Sequence, residues 1–212
     1  MRLLVLGATG AVGRLIVAQG LARGHAVTAQ TREAARAAAL LRGARIAAAD
    51  PTDAAALAPL CAGQEAVIFA LGTDRGGPTT LFSDATRALL AAMGEAGVAR
   101  LVAITGVGAG ETRGHGGFLY DRIIFPLFTR HRYADKDRQE ALICASGADW
   151  TILRPAPFAA TPGAAPMRRV TTIAPTTRLT RVTREEVAAF ALDCAEQGLH
   201  VREAVFFGHG RA

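Results

Sequence analysis

Three glycines spaced three residues apart constrain the fold of this chain more than any other feature. They follow a short apolar run, Arg2–Leu6, and precede a helical stretch rich in alanine and leucine. This order predicts a buried strand, a tight turn and the start of a helix. Gly7 lets the chain leave the strand with unusual backbone angles. Gly10 leaves room for a pyrophosphate at the backbone, and Gly13 lets the helix lie close to the sheet.

The turn between this strand and helix is expected to bind a dinucleotide. Free backbone amides and the positive end of the helix would face the phosphates. The glycines stand in the strand–turn–helix context that a dinucleotide-binding motif requires. A glycine-rich turn without a ligand is the alternative. The residues expected to hold the cofactor here are Gly7, Ala8, Thr9, Gly10, Ala11, Val12 and Gly13.

The composition suits a single α/β domain over residues 1–212. Half of the residues are hydrophobic, which is enough for one core and short for two. The sequence contains no stretch of 18 apolar residues, so we expect no membrane span. The first residues lack the features of a signal peptide. Three scattered cysteines without metal-ligand spacing indicate buried side chains in a reducing compartment. We therefore expect a cytoplasmic enzyme or sensor with no membrane partner.

The chain is basic, with a formal net charge of +6 and a pI near 10.2. The arginines are dispersed and do not form a stripe interleaved with aromatic residues, so we expect no nucleic-acid partner. A solvated arginine-rich surface with an anion-binding cleft is the favoured interpretation. Of the 24 basic residues 23 are arginine, and Lys136 is the only lysine.

Strand and helix patterns alternate along the chain, and the strands are fully apolar. This predicts a mainly parallel sheet covered by helices on both faces, with strand order 3-2-1-4-5-6-7. With the glycine turn, it is a doubly wound Rossmann fold whose ligand lies at the carboxyl ends of the strands. The tail is expected to add strands near Val170–Ile173 and Ala204–Phe207 and a helix near Arg184–Glu196, opened by a Thr183–Glu186 capping box.

Two segments are expected to serve a substrate. The first, residues 106–132, is rich in glycine and then in apolar residues; its length is typical of a functional lid. The second is the carboxyl-terminal portion, residues 155–212.

The end of the second strand indicates which cofactor is bound. NAD-preferring sites place a carboxylate there for the ribose hydroxyl, whereas this chain has Thr31 and Arg32. A guanidinium pairs with a 2′-phosphate through charge-assisted bonds. Arg36, one helical turn later, can close over the same group, and Arg14 can add to it. The sequence therefore favours NADP(H), with NAD(H) less favoured; ordinary surface arginines are the alternative.

Two further strand ends supply candidate cofactor contacts. Asp50 follows the third strand, where it can receive the adenine amino group with Pro51 against the ring. Asp50 could instead serve only to start the next helix. The fourth strand is followed by Leu71, Gly72 and Thr73, where the chain must pass close to the cofactor.

These motifs resemble the atypical short-chain dehydrogenase/reductases with an NAD(P)H-binding domain, in particular the biliverdin-IXβ and flavin reductase branch. The resemblance covers nearly the whole chain and includes the glycine turn, Thr31-Arg32, Leu71–Thr73, Pro78–Thr80 and Asp149–Pro155. It implies a monomer-sized, NADPH-dependent reductase. It also implies that the nicotinamide side is lined by Thr105, Gly106, Pro155, Ala156, Pro157 and Phe158.

The chain departs from the main short-chain dehydrogenase branch at its catalytic residues. Thr105-Gly106 stands where a serine belongs, and Tyr133 precedes Lys136 by three residues instead of four. On a helix these two side chains still share a face, but the usual catalytic geometry does not follow. The histidine of the flavin-reductase branch has no clear match, which argues against bilin turnover.

Three residues are candidates for polarising a substrate. Lys136 can shift its pKa when partly buried, which arginine cannot do; a surface lysine paired with Glu140 is the alternative. Tyr120 could donate a proton from the lid, or simply pack the lid down. Thr105 offers a hydroxyl at the end of a central strand. No cluster with metal-ligand spacing is present, so no metal is expected.

The function expected from the sequence is NADPH-dependent reduction of a small conjugated acceptor such as a flavin, quinone or ketone, by a monomer or homodimer. One alternative is a redox sensor similar to NmrA-like proteins, which binds NADP(H) without turnover. Another is an isomerase or epimerase that retains its cofactor between turnovers.

Overall fold

The computed structural model describes residues 1–73, 77–115, 117–118, 121–123 and 130–211. Its nine strands belong to one sheet. The strands are β1 Arg2–Leu6, β2 Ala26–Thr31, β3 Arg45–Ala48, β4 Ala66–Phe69, β5 Arg100–Ile104, β6 Asp149–Pro155, β7 Met167–Val170, β8 Arg178–Arg181 and β9 Glu203–Arg211. The helices are α1 Gly13–Ala22, α2 Ala34–Leu40, α3 Ala54–Cys61, α4 Leu81–Ala96, α5 Arg130–Cys144 and α6 Arg184–Gln197.

The strand order is β3-β2-β1-β4-β5-β6-β9-β7, with β8 also paired to β9. The first seven strands of this path are parallel, which confirms the predicted doubly wound fold. The predicted order holds for the first six strands. The place beside β6 is taken by β9 and not by the strand predicted near Val170–Ile173, because β7 pairs with β9 instead of β6. Strands β7 and β8 run antiparallel to β9. Because the first six strands are parallel and adjacent, their carboxyl ends form one edge of the sheet.

The carboxyl-terminal part is where the predicted elements differ from the structure. Strand β7 lies at Met167–Val170, three residues before the predicted position, and β8 was not predicted. Both are four-residue edge strands whose side chains are mostly exposed. Their pairing with β9 therefore comes from tertiary contact, because they have no apolar pattern that would have marked them. In the predicted lid, a short 3₁₀ helix occupies Gly110–Thr112.

The core consists of two hydrophobic layers, one on each face of the sheet. In β1, Leu3 and Val5 belong to one layer, whereas Leu4 and Leu6 belong to the other. Side chains alternate between the two faces of a strand, so a fully apolar strand serves both layers. Helices α1 and α6 pack together, as do α3, α4 and α5. This confirms the expectation that helices cover both faces.

The cysteines depart from one expectation. Cys61 and Cys194 are buried, and burial raises the pKa of the Cys61 thiol to about 11. Cys144 is exposed, so the prediction that all three are buried is wrong. Cys144 ends α5, where the helix leaves the core. Separately, no helix among the described ranges has the length and apolar character needed to span a bilayer.

Two helix starts depend on carboxylates. Asp53 accepts hydrogen bonds from the amides of Ala55 and Ala56 at the start of α3, the ordinary arrangement of a helix cap. Asp135, which is fully buried in α5, accepts from the Phe82 amide at 2.8 Å and from the Ser83 hydroxyl at 2.6 Å. This long-range cap fixes α5 against the first turn of α4.

A histidine in β9 ties that strand to the start of α6. The Nε2 atom of His209 lies 2.8 Å from the Glu186 carboxylate, and Nδ1 lies 2.6 Å from the Ala165 carbonyl oxygen. Both partners only accept hydrogen bonds, so the doubly protonated ring satisfies both. These contacts raise the pKa of His209 above its usual value. Glu186 also completes the predicted capping box with Thr183.

We expect His209→Gln to reduce stability most at low pH. The pKa of His209 is higher in the folded protein than in the unfolded chain, where it is about 6.5. The stabilisation that the charged ring contributes is therefore fully present below the unfolded-state pKa and disappears as pH rises through the folded-state pKa. Urea denaturation of both proteins at about pH 6 and about pH 9 measures this. The difference in unfolding free energy should shrink at the higher pH; a constant difference would show that the ring is not charged in the folded protein.

Candidate functional site

A cavity of about 670 Å³ opens at the carboxyl ends of the parallel strands, within the range of about 300–1,000 Å³ typical of small-molecule and cofactor sites. Six strand ends contribute to its lining. They supply Gly7 after β1, Arg32 after β2, Pro51 after β3, Leu71 after β4, Thr105 after β5 and Phe158 after β6. The cavity therefore extends along the edge of the sheet where this fold binds its ligands.

Close backbone packing shapes the glycine turn. Gly7 has a φ of +75°, and a Cβ atom built on it would lie 2.8 Å from the carbonyl oxygen of Ala70. A Cβ on Gly13 would lie 2.2 Å from the carbonyl oxygen of Gly7. No side chain fits at either distance. The predicted close approach of helix and sheet is thus present, and it places the first turn of α1 directly over the end of β1.

The outer side of this turn forms one wall of the cavity. Thr9, Gly10, Ala11 and Val12 all line it. The first amides of a helix have no partners within the helix and attract anions, and Gly10 contributes no side chain to block them. A pyrophosphate fits this wall. Ala8 is fully buried beneath the turn and supports it from the side of the core.

A buried glutamine holds the turn in register with β2. The Gln30 side-chain oxygen accepts a hydrogen bond from the Gly7 amide at 3.1 Å, and its nitrogen donates to the Ala49 carbonyl at 2.7 Å. Gln30 therefore links the ends of β1, β2 and β3. Gln30 was not among the residues predicted from the sequence. A glutamine at a predicted buried position of β2 was the available signal.

The side chains after β2 give one end of the cavity a positive charge. Arg32 and Arg36 both line it, as does Glu33. The Arg36 guanidinium lies 3.9 Å from the Glu33 carboxylate, and both groups are largely exposed, so this pair holds neither side chain firmly. Arg14 is exposed and lies outside the cavity lining. Thr31 also contributes to the lining, beside Arg32.

The two candidates after β3 separate in the structure. Pro51 lines the cavity, whereas Asp50 lies outside its lining. The Asp50 carboxylate accepts hydrogen bonds from the amide and the hydroxyl of Thr52; these bonds lower the pKa of Asp50. Asp53 caps the following helix, so Asp50 does not cap it.

The segment after β4 crosses the floor of the cavity. Ala70, Leu71, Gly72 and Thr73 all line it. A Cβ atom built on Gly72 would meet no atom within 4 Å, so this glycine leaves space inside the cavity. Thr73 is tied to α5, because its carbonyl oxygen accepts a hydrogen bond from Arg132 at 3.1 Å.

Helix α5 brings Tyr133 and Lys136 to the cavity together. A Cβ on Gly106 would lie 2.6 Å from the Tyr133 hydroxyl, so this oxygen occupies the space that Gly106 leaves. The Lys136 ammonium donates a hydrogen bond to the Thr105 carbonyl and lies 5.0 Å from the centre of the Phe82 ring. The predicted shared face is present. Tyr133 was not among the predicted site residues, because its three-residue spacing from Lys136 differs from that of the usual catalytic pair.

Burial lowers the pKa of Lys136 to about 8. The nearby carboxylate of Glu140 acts in the opposite direction, and the positive charge of Arg132 adds to the lowering. A shifted pKa is what the sequence predicted for a partly buried lysine at this position. The proposed surface pair with Glu140 is absent from the ion pairs of the described residues.

Glu140 pairs instead with the strand ends behind the cavity. It accepts a hydrogen bond from the Thr105 hydroxyl at 2.6 Å and forms an ion pair with Arg154 at 2.6 Å. Both charged side chains are about nine-tenths buried. A carboxylate can only accept, so the hydroxyl proton of Thr105 points to Glu140. The lone pairs of the Thr105 hydroxyl oxygen are then left for other contacts.

Among the residues predicted on the nicotinamide side, Phe158 and Thr105 line the cavity. Gly106, Pro155, Ala156 and Pro157 lie outside its lining and make backbone contacts that shape the wall. The Pro155 carbonyl accepts from Val107, and the Ala156 amide donates to Phe207. Tyr120, the candidate on the lid, lies outside the described residues. The described part of the chain holds no cluster that could bind a metal ion.

Fold and site together are those of a Rossmann-type nucleotide-binding protein. The chain belongs to the NAD(P)H-binding family, whose model matches residues 7–198. This confirms the family that the sequence motifs indicated and the expectation of a nicotinamide cofactor.

Solved structures of bacterial proteins share this fold along nearly the whole chain. A Burkholderia pseudomallei protein, named as an exported protein, is 28% identical with a TM-score of 0.78, over 99% of this chain and 100% of its own. A Rossmann-fold NAD(P)-binding family protein of Shigella flexneri is 23% identical, with a TM-score of 0.73 and coverage of 98% and 93%. The anaerobilin reductase ChuY of Escherichia coli O157:H7 is 22% identical, with a TM-score of 0.76 and coverage of 100% and 98%.

We expect Gly13→Ala to damage the glycine turn. The added methyl group would overlap the Gly7 carbonyl, and overpacking of this kind costs about 1–3 kcal/mol. Gly94→Ala is the matched control, because a Cβ there meets no atom within 4 Å and alanine favours a helix interior by about 0.5–1 kcal/mol.

Thermal unfolding and titration with a nicotinamide nucleotide measure both effects. Gly13→Ala should lower the melting temperature and weaken nucleotide binding, whereas Gly94→Ala should raise the melting temperature and bind normally. Normal binding by Gly13→Ala would contradict the role of this close approach.

Proposed function

We propose that this protein is an NADPH-dependent oxidoreductase that reduces a small conjugated acceptor by hydride transfer. The observation that carries the proposal is one continuous cavity joining three features. These are a glycine turn suited to a pyrophosphate, two arginines after β2, and a Tyr133–Lys136 pair beside aromatic walls. A solved structure of the same fold supports the proposal, since ChuY is an anaerobilin reductase.

The chain has a distinct residue set for each part of the cofactor. Gly10, Ala11 and Val12 would hold the pyrophosphate against the start of α1. Arg32 and Arg36 would pair with the 2′-phosphate, because a guanidinium binds phosphate through two parallel hydrogen bonds. When bound, NADPH supplies the acceptor with a hydride, that is, two electrons and one proton.

The reduced acceptor needs one further proton to balance the reaction. NADPH, one proton and the oxidised acceptor give NADP⁺ and the acceptor carrying two added hydrogens. Tyr133 is the proposed donor, since its hydroxyl lines the cavity over Gly106. It would recover its proton from solvent. Lys136, with a pKa of about 8, is largely charged near neutral pH and would stabilise negative charge on the acceptor or on Tyr133.

Thr105 has a positioning role in this proposal. Its hydroxyl proton is engaged by Glu140 and its carbonyl accepts from Lys136. It would therefore hold Lys136 in place and offer a lone pair to a bound nicotinamide or acceptor. Phe158 supplies exposed apolar surface for a flat ring.

A redox sensor that binds NADP(H) without turnover is the second candidate. The threonine in place of serine favours it, because the Thr105 proton is not available to a substrate. NADPH consumption with a panel of flavins and quinones separates the two. Rapid oxidation with one acceptor supports the reductase, and slow background rates with all of them support the sensor. Nucleotide retained on the purified protein without net oxidation would favour an isomerase or epimerase.

We expect Arg32→Asp to weaken NADPH binding far more than NADH binding. The 2′-phosphate loses a charged hydrogen bond worth about 1.5–3 kcal/mol, an affinity loss of about 10- to 100-fold. NADH has no such phosphate. Arg14→Asp makes the same change of charge outside the cavity lining and serves as the control. Titration calorimetry of the unmodified protein and both variants with both nucleotides gives six affinities; an equal loss for NADPH and NADH would show that Arg32 does not discriminate between them.

We expect Lys136→Ala to lower kcat more than it weakens NADPH binding. Loss of a group that assists proton transfer costs on the order of 100-fold in rate, whereas the pyrophosphate and 2′-phosphate contacts remain. Tyr133→Phe removes only the hydroxyl oxygen and should also lower kcat. Steady-state kinetics and a separate NADPH titration distinguish the two quantities. An unchanged kcat for Lys136→Ala would remove this residue from the mechanism.

A further inference from the structure

The charges along the cavity are divided between its two ends. Strands β2 and β6 are separated by β1, β4 and β5, so four strand spacings, or about 19 Å, lie between the strands that Arg32 and Phe158 follow. Arg32 and Arg36 occupy the β2 end together with Glu33, which is the only acidic residue among the described residues of the lining. Arg132, Lys136 and Arg184 lie towards the β4 to β6 end.

The second group of cations exceeds what the proposed cofactor needs. Its phosphates belong at the glycine turn and at the β2 end, and the reduced nicotinamide ring carries no charge. At the β4 to β6 end, Lys136 is close to the Glu140 and Asp135 carboxylates, and Arg132 donates to the Thr73 carbonyl. Arg184 is therefore the cation of this group that indicates a second anionic ligand.

Arg184 is the member of this group that is best placed to contact an acceptor. Its guanidinium carbon lies 4.9 Å from the centre of the Phe158 ring, and both side chains are exposed at the cavity. Within the described ranges, no carboxylate lies in ion-pair distance of Arg184. An exposed guanidinium beside an exposed aromatic ring can bind a flat molecule that also carries negative charge.

The fold does not require a positive charge at this position. Arg184 is the first residue of α6, where a cation is unfavourable next to the positive end of the helix dipole. The helix start is already satisfied by the Thr183–Glu186 capping box. Replacing Arg184 should therefore leave the folded protein intact, so a change in ligand binding can be interpreted directly.

We propose that the acceptor is an anion, and that Arg184 binds its carboxylate or phosphate group while Phe158 packs against its conjugated ring. The proposal rests on the proposed function for the redox step and adds the chemical class of the acceptor. Arg184 acts as a specificity-determining residue. It would lower KM for charged acceptors without taking part in the transfer itself.

Riboflavin and FMN provide a matched pair of probes, because they differ only by one phosphate group. We expect the unmodified protein to reduce FMN with a kcat/KM about tenfold above that for riboflavin, the effect of one charged hydrogen bond. Arg184→Ala should abolish this preference through KM for FMN and leave riboflavin unchanged. Arg184→Glu should reverse it. Naphthoquinone and a ring-carboxylated naphthoquinone test whether a carboxylate is recognised as well as a phosphate.

Arg181→Ala is the matched control. Arg181 is an exposed arginine three residues earlier in the chain, and it lies outside the lining of the main cavity. Its removal should preserve the preference for FMN. If Arg181→Ala and Arg184→Ala reduce the preference equally, the effect comes from net charge and the proposed contact is wrong.

A binding measurement keeps this proposal separate from the proposed function. Flavin fluorescence is titrated with the protein in the presence of saturating NADP⁺, where no turnover occurs. Tighter binding of FMN that is lost in Arg184→Ala supports the anion site, even if no acceptor is ever reduced and the reductase proposal fails. Equal binding of FMN and riboflavin overturns the anion site, even if both are reduced. An equal weakening of NADPH binding by Arg184→Ala also overturns it, because Arg184 would then belong to the cofactor site.

Discussion

The approach of Gly13 to the carbonyl oxygen of Gly7 sets the geometry on which the remaining site depends. A single Cβ atom at Gly13 would overlap that oxygen, so helix α1 can reach the end of β1 only without it. The helix start then faces the strand ends, and its amides become available to an anion. Gln30 joins the same turn to β2 and β3, which fixes the distance from the glycine turn to Arg32.

The other end of the cavity is organised by a buried charged network. Glu140 pairs with Arg154 and accepts the Thr105 proton, and Lys136 donates to the Thr105 carbonyl. Burying an ion pair is unfavourable unless its partners are well placed, so this network fixes α5 against β5 and β6. The same contacts orient Tyr133 and Lys136 towards the cavity. Stability of the fold and arrangement of the site thus depend on the same side chains.

The sequence predicted those parts of the site that are short continuous segments at the end of a strand. The glycine turn, Arg32 after β2 and the segment beginning at Leu71 each follow a recognisable strand, and the doubly wound topology brings such ends together. Tyr133 was not selected, because a motif with the wrong spacing gave no reason to place its hydroxyl over Gly106. Asp50 was expected in the site but bonds to its own loop instead, since local hydrogen bonds compete with ligand contacts.

The sequence by itself determined the family, the parallel sheet and the position of the glycine turn, because these depend on apolar periodicity and on residues close together in the chain. Only the tertiary structure decided which distant side chains meet. The ion pair of Glu140 with Arg154, the cap that Asp135 provides for α4 and the contact of Arg184 with Phe158 join different elements. No local pattern encodes such pairings, because they depend on the relative placement of helices and strands after packing.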